Sequence, residues 1–334
     1  MSAADEPEFR LPSFQLRPNK FVDRMLFVDL CTQLVGGSGS PHYRYISMGA
    51  TFLSDHHAMY RRTGVDGLIS FGADEDDRKR QLFNRPSSLM ECLNLHSSQL
   101  PARMDELRAG DKGLILWLDF MSSKDRRVQL QELEQVARKS KPGDLLRITL
   151  NSEFRKFGGL TTEDQKEGRT VQQMAARKLQ LQLPEYIEAQ LDEVTASSLP
   201  DTLVTAVRKA FERAHTHRPD LRIVPTLITT YADGDRMLTV AAYIGSNEMP
   251  LPKGIREWPH RTKSWKTIHR IDVPDLSLRE KYLVDSLLDL SPASILAKLP
   301  FKPSNKHARS QMVATIKSYR AFHRFYPDFH HVDQ

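Results

Sequence analysis

Cysteine is almost absent from this 334-residue chain. Only Cys31 and Cys92 occur, with no CxxC and no Cys/His spacing, which excludes a disulfide framework and a structural zinc site. Both read as buried thiols acting as small hydrophobes. Long apolar runs are missing as well: the longest, Leu114 to Leu118 and Leu238 to Ile244, are strand-sized, well short of the 18 or so residues of a membrane helix. The opening Met1-Ser-Ala-Ala-Asp-Glu-Pro-Glu has neither a basic n-region nor an apolar h-region, so no secretory signal is expected and a cytoplasmic protein is. The chain also lacks GxGxxG, a P-loop, a GxSxG elbow and an HExxH helix. These absences speak against a Rossmann dehydrogenase and against the hydrolases those motifs serve.

What is present is an ordinary globular composition, 40% hydrophobic and 27% charged, on a chain long enough to bury a sizeable core. The net charge of +6 is unevenly placed: residues 251–334 hold 15 Lys+Arg against 8 Asp+Glu. A basic region of this kind suits nucleic acid, an acidic protein partner or a solvated face.

Periodicity gives an alternating pattern of helices and strands. A helical stripe runs from Lys20 to Leu34 and ends at Gly36-Gly37-Ser38-Gly39-Ser40-Pro41. Tyr43 to Met48 reads as a strand, followed by a helix that Ser54 or Asp55 would cap, through Arg62 to Gly64. Gly67 to Phe71 is a second strand, and Asp74-Glu-Asp-Asp77 starts a helix with an acidic first turn. A third strand is expected at Ser88 to Leu93, after an Asn84-Arg85-Pro86 turn. Gly113-Leu-Ile-Leu-Trp-Leu-Asp119 is a near-continuous apolar run ending in a carboxylate, the pattern of a central parallel strand buried on both faces. A helix capped by Ser122 or Ser123 and stopped at Lys141-Pro142-Gly143 precedes a fifth strand, Asp144 to Leu150. Residues 152–200 read as a lid or insertion. A helix from Pro200 to about His215 leads to Leu221–Tyr231 and Met237–Ile244, a hairpin around Ala232-Asp233-Gly234-Asp235. Beyond Leu251, prolines and aromatics separate a capped helix near Ser277 from a last helix at about 306–325.

This order of elements, with the small-residue turn Ser47-Met48-Gly49-Ala50 after the first strand, resembles the class I S-adenosylmethionine-dependent methyltransferases over residues 43 to 245. The resemblance implies an α/β, Rossmann-like, mostly parallel seven-stranded sheet with a late antiparallel β-hairpin. A domain of residues 1–250 and a basic helical C-terminal appendage of residues 251–334 are then expected. It also implies S-adenosylmethionine as cofactor, with Ser47, Gly49 and Ala50 at its methionine portion, an acid after strand two at its ribose, and Asp119 and Phe120 beside cofactor and acceptor. Small residues let the backbone approach a ligand, a carboxylate accepts two hydroxyl hydrogen bonds, and strand C-termini converge on a crevice. Gly72 occupies the position directly after strand two, which leaves Asp74 or Glu75 for the ribose. Asp119-Phe-Met-Ser122 is not an Asn/Asp-Pro-Pro-aromatic motif, and Cys92 follows Glu91 rather than proline, so the amino and cytosine-C5 methyltransferases are not expected.

Two other readings stay open. Ser47 and Gly72 are compatible with a methyltransferase-like scaffold or binding subunit of a bacterial complex, phage defence included, in which catalysis is lost. The basic residues 251–334, interleaved with Trp258, Trp265, Tyr319, Phe322 and Phe325, are compatible with a nucleic-acid-binding module. Blander roles compete for single residues: Asp74 to Asp77 as a helix start, Asp119 as a loop carboxylate, His56-His57 as packed histidines, and His330-His331 with Asp328 and Asp333 as a tail rather than a metal site.

Overall fold

The computed structural model describes residues 17–36, 43–65, 67–303 and 308–327. Residues 37–41 of the Gly36–Pro41 stretch that ends the first helical stripe, and the histidine and aspartate cluster at 328–333, lie outside them. The chain divides into a larger unit, Phe27–Thr230 with Asp235–His269, and a smaller one formed by the described residues of Met1–Leu26, Tyr231–Gly234 and Arg270–Gln334.

The strands are β1 (Tyr43–Ser47), β2 (Gly67–Gly72), β3 (Glu91–Asn94), β4 (Gly113–Asp119), β5 (Leu145–Asn151), β6 (Leu221–Ala232), β7 (Arg236–Ser246) and β8 (His269–Arg270). The helices are α1 (Pro18–Val35), α2 (Ser54–Arg62), α3 (Glu75–Asn84), α4 (Leu100–Arg108), α5 (Arg126–Arg138), α6 (Thr162–Lys166), α7 (Val171–Gln182), α8 (Leu199–Ala214), α9 (Lys253–Glu257), α10 (Leu278–Asp285), α11 (Pro292–Lys298) and α12 (Arg309–Phe322). Strand order is β3-β2-β1-β4-β5-β7-β6-β8. The pairs from β3 to β5 are parallel and β7 joins β5 antiparallel. The expected mostly parallel sheet with a late hairpin is therefore present, and the two-residue β8 makes it eight strands instead of seven.

β4 shows why a continuous apolar run becomes a central strand. Its even residues Leu114, Leu116 and Leu118 join a core built with Leu130, Leu133 and Val136 of α5 and Val207 and Phe211 of α8. Trp117, on the other face by the two-residue period, meets Phe27 of α1 edge-on at 5.3 Å between ring centroids. Arg147 of β5 lies on the same face, its guanidinium carbon 4.1 Å from the Trp117 ring centroid and 4.3 Å from that of Phe27. A buried cation is tolerated there through two aromatic faces and a hydrogen bond to Thr239 Oγ1 at 3.1 Å.

Three local expectations change. α4 fills residues for which the periodicity predicts no element, because its short apolar stripe, Leu100, Met104 and Leu107, is interrupted by Arg103, Asp105 and Glu106. α2 has no side-chain cap: Leu53 precedes it in the left-handed region at φ 50°. α5 starts at Arg126 without a side-chain cap, since the Ser122 hydroxyl is turned to Asp125 Oδ2 at 2.6 Å.

Within the smaller unit, Asp233 of the hairpin tip caps the start of α1, accepting from Lys20 N at 2.6 Å and Asn19 Nδ2 at 2.8 Å. Asn19 Oδ1 in turn accepts from Val273 N at 2.7 Å. α10 carries the expected Ser277/Glu280 capping box, and Tyr319 of α12 donates to Asp285 Oδ1 at 2.7 Å.

Candidate functional site

Strand order reverses between β1 and β4: the chain moves from β1 outward to β2 and β3, then returns to β4 and continues to β5. In open α/β sheets the crevice beyond the strand C-termini at such a switch point is where ligands bind. The turn after β1 and the end of β4 therefore border the candidate site. Ser47 pairs with Trp117 on one side and Ser70 on the other, so Met48, Gly49, Asp119 and Gly72 follow at the rim. Asp119 is still on the ladder, opposite Thr149 of β5. Asp119 and Phe120 are half-buried and Ala50 is exposed.

The glycine turn is held from the next helix. Gln81 of α3 is buried, accepts from Ser70 Oγ at 2.8 Å, and donates to the Gly49 carbonyl. Thr51 Oγ1 donates to Asp77 Oδ1 at 3.0 Å, and Asn84 Nδ2 donates to the Thr51 carbonyl at 3.0 Å. Gly49 has a packing reason of its own. A Cβ there would lie 2.5 Å from Leu53 Cδ2, 2.9 Å from Ser70 Cβ and 3.1 Å from His56 Cε1. A Cβ added to Gly72 would meet no atom within 4 Å, so the end of β2 leaves open space beside its backbone.

The acids after β2 divide their work. Asp74 Oδ1 caps α3, accepting from Asp76 N at 2.8 Å and Asp77 N at 2.9 Å, while no hydrogen bond to Oδ2 is formed among the described residues. Glu75 is engaged by Arg78 through two bonds of 2.7 and 2.8 Å and by Asn94 at 3.2 Å. Arg78 holds its carboxyl below the usual range. Of the two, Asp74 keeps a free acceptor.

His56 and His57 are packed residues. His56 is fully buried, its Nε2 3.0 Å from the Ile69 carbonyl and its ring against Tyr45. Burial pushes its pKa down to about 4. His57 Nε2 lies 2.8 Å from the Asn84 carbonyl. No group of three or more potential metal ligands occurs among the described residues.

Next to the end of β5 and the loop after β4 lie residues that the sequence patterns did not single out. Arg126, the first residue of α5, is 2% exposed and donates Nε and Nη2 to the Asn151 carbonyl at 3.0 and 2.8 Å, and Nη1 to Gln182 Oε1 at 3.0 Å. Gln182 Nε2 donates to the carbonyls of Ser123 and Lys124 at 2.9 and 2.7 Å. The segment expected as a lid or insertion thus contains α6 and α7, and α7 is tied to the loop after β4. Gln129 and Glu132, one turn apart on α5, are also buried; Glu132 is shifted upward by burial. For Gln129 and Glu132 the available signal was their place directly beside Leu130, Leu133 and Val136; nothing in the sequence distinguished Gln81 or Arg126.

A family model described as "Putative O-methyltransferase" matches residues 12–334. No curated protein matches the chain. Among solved structures, it is similar to Trm1 from Pyrococcus horikoshii in complex with S-adenosyl-L-methionine, at 13% identity and a TM-score of 0.46, over 95% of this chain and 79% of that one. It is also similar to a "putative O-methyltransferase" from Klebsiella pneumoniae, at 15% identity, 74% and 84% coverage and a TM-score of 0.36. A third is TomG from Streptomyces achromogenes, an O-methyltransferase of tomaymycin synthesis, at 11% identity, 72% and 83% coverage and a TM-score of 0.35.

Proposed function

The chain belongs to the "Putative O-methyltransferase" family, and from that premise we propose that it binds S-adenosylmethionine at the β1/β4 switch point and transfers the methyl group to an oxygen nucleophile. The observation that carries this reading is the strand order with its crevice, bordered by the tethered turn at Gly49 and the carboxylate of Asp119.

The residues present fit the cofactor. The open space beside Gly72 admits a ligand against the backbone, and Asp74 Oδ2 is available for ribose hydroxyls while Oδ1 serves the helix. Ser47, Gly49 and Ala50 would hold the methionine portion, and Phe120 would flank the crevice. When bound, S-adenosylmethionine supplies an electrophilic methyl group on a positively charged sulfur. Asp119, a carboxylate at the end of the central strand, suits that charge and is the catalytic residue we assign, orienting the cofactor beside the acceptor. Transfer of this kind rests mainly on in-line positioning, so no dedicated nucleophile is required. No helix among the described residues is long and apolar enough to cross a membrane. We place the enzyme in the cytoplasm, where two free, buried thiols are stable.

Calorimetric titration with S-adenosylmethionine and S-adenosylhomocysteine tests the reading. The expected result is binding that weakens at least about tenfold in Asp119→Ala, about 1.4 kcal/mol. Folded protein that binds neither compound would overturn it and favour the scaffold reading, for which the partial use of Asp74 as a helix cap is the supporting observation. The basic residues 251–334 give the acceptor side a second reading, contact with nucleic acid or an acidic protein. A gel-shift series at low salt with no retarded species would remove its nucleic-acid form.

A further inference from the structure

Arg126 places a buried charge at the end of β5. Its guanidinium is 2% exposed, and its partners are neutral: the Asn151 carbonyl, Gln182 Oε1 and the ring of Phe157, whose centroid is 5.5 Å from Cζ. Burial alone shifts its pKa, downward to about 10, with no carboxylate acting against it. A buried cation without a carboxylate is costly, and this one occupies the first position of α5, where the helix dipole disfavours positive charge.

Neighbouring cations are treated differently. Arg127 pairs with Glu185, Arg155 with Glu153 at 3.0 Å, and Lys156 with Asp235 at 3.0 Å. Asp235, which also accepts from Asn151 Nδ2 at 3.0 Å, is thereby neutralised. Lys178 of α7 repeats the Arg126 pattern, donating to the Phe157 carbonyl at 2.8 Å with no ion pair among the described residues. Segment 151–157 is therefore held by two cations that bond only neutral groups.

Position makes the charge relevant to the site. Asp119 is in register with Thr149, so Asn151, which binds Arg126, is two residues further along β5, about 7 Å at the strand rise. The two charges thus mark the ends of neighbouring strands: a carboxylate at the end of β4, and a guanidinium bonded to the Asn151 carbonyl at the end of β5. Resting on the reading of the crevice given above, we infer that the methyl acceptor is taken up as an oxyanion, a carboxylate or an ionised acidic hydroxyl, on the β4/β5 side, with Arg126 as the positioning residue whose charge selects it. A cationic cofactor beside Asp119 and an anionic acceptor toward Arg126 would each meet the opposite sign. Methyl transfer to such an oxygen breaks the carbon–sulfur bond and forms a carbon–oxygen bond with no proton to remove, neutralising both reactants together.

The test uses full-length protein saturated with S-adenosylhomocysteine and measures binding of benzoate against benzamide, and of 4-nitrophenolate at pH 8.5 against 4-nitroanisole. The expected result is a preference for the anion of each pair by roughly ten- to thirtyfold, the scale of one charge acting across about 8 Å of partly buried protein. In Arg126→Met the preference should vanish while S-adenosylhomocysteine affinity stays. Arg126→Lys gives a readout that a structural role would not move: a buried lysine loses its proton as pH rises, so the benzoate preference should be present at pH 6 and lost by pH 9, whereas in wild type it stays constant. The lysine variant decides the matter if the methionine variant does not fold. Equal binding within each pair, binding of neither member, or a preference that Arg126→Met or Arg126→Lys keeps at every pH would overturn the inference. A preference within only one pair identifies which class of oxyanion is accepted. Failure of S-adenosylhomocysteine to bind at all would instead remove the cofactor reading beneath it.

Discussion

The Ser70 hydroxyl donates to Gln81 Oε1 at 2.8 Å, and the other end of the same amide donates to the Gly49 carbonyl. One buried side chain on α3 thus fixes the turn after β1 to the end of β2. Substituting Gln81→Leu keeps the volume but leaves a buried hydroxyl and a carbonyl without their partner, at a cost of about 1–3 kcal/mol. The expected outcome is a lower midpoint of urea unfolding and weaker S-adenosylmethionine binding by calorimetry. Affinity that is unchanged would mean that the turn does not depend on this tether.

The two glycines at the rim separate packing from ligand space. Gly49→Ala places a methyl against Leu53, Ser70 and His56 and should destabilise the fold by about 1–3 kcal/mol. Gly72→Ala meets nothing within 4 Å and should leave the unfolding midpoint in place while lowering cofactor affinity. Equal affinity for the wild type and Gly72→Ala would show that no ligand approaches the end of β2.

Asp74 has two oxygens with separate tasks. Asp74→Asn retains an acceptor for the Asp76 and Asp77 amides but turns the second oxygen into a donor. Stability should hold while S-adenosylmethionine binding falls. Asp74→Ala loses the cap too, about 1 kcal/mol. If both variants bind the cofactor as wild type does, Asp74 is a cap and nothing more.

The sheet was legible because its strands carry the burial pattern in their letters: 114–118 is apolar without interruption and 221–246 is two strand-like runs around Asp233-Gly234. The rim residues Gly49, Gly72 and Asp119 could be placed by counting from those strands. What could not be read is how polar side chains on α3 and α5 are used. Gln81 and Arg126 look like surface residues in a sequence, since helix periodicity marks the apolar stripe and not which polar neighbour folds inward. Their roles come from contacts across 11 to 56 positions, Gln81 with Ser70 and Arg126 with Gln182, which no local pattern encodes. The short stripe of α4 failed for the opposite reason: three apolar residues among four charges give too weak a period.

His56 supplies a pH test of the core. In the folded chain its pKa is lowered to about 4 from an ordinary 6.5, because protonation would put a charge into a fully buried site. Its Nδ1 has no hydrogen-bond partner there, while neutral Nε2–H donates to the Ile69 carbonyl. The unfolded chain takes up a proton near 6.5 and the folded one does not until about 4, so the unfolded state binds more protons between those values. Stability from this residue is therefore fully present above about 6.5 and falls as pH drops toward 4, by up to about 3 kcal/mol at 1.4 kcal/mol per unit. Urea unfolding at pH 7.5 and at pH 5 should show that decline in wild type. It should be smaller in His56→Gln, whose amide cannot titrate in this range and keeps a donor for Ile69. An equal decline in both proteins would assign the acid sensitivity to other groups.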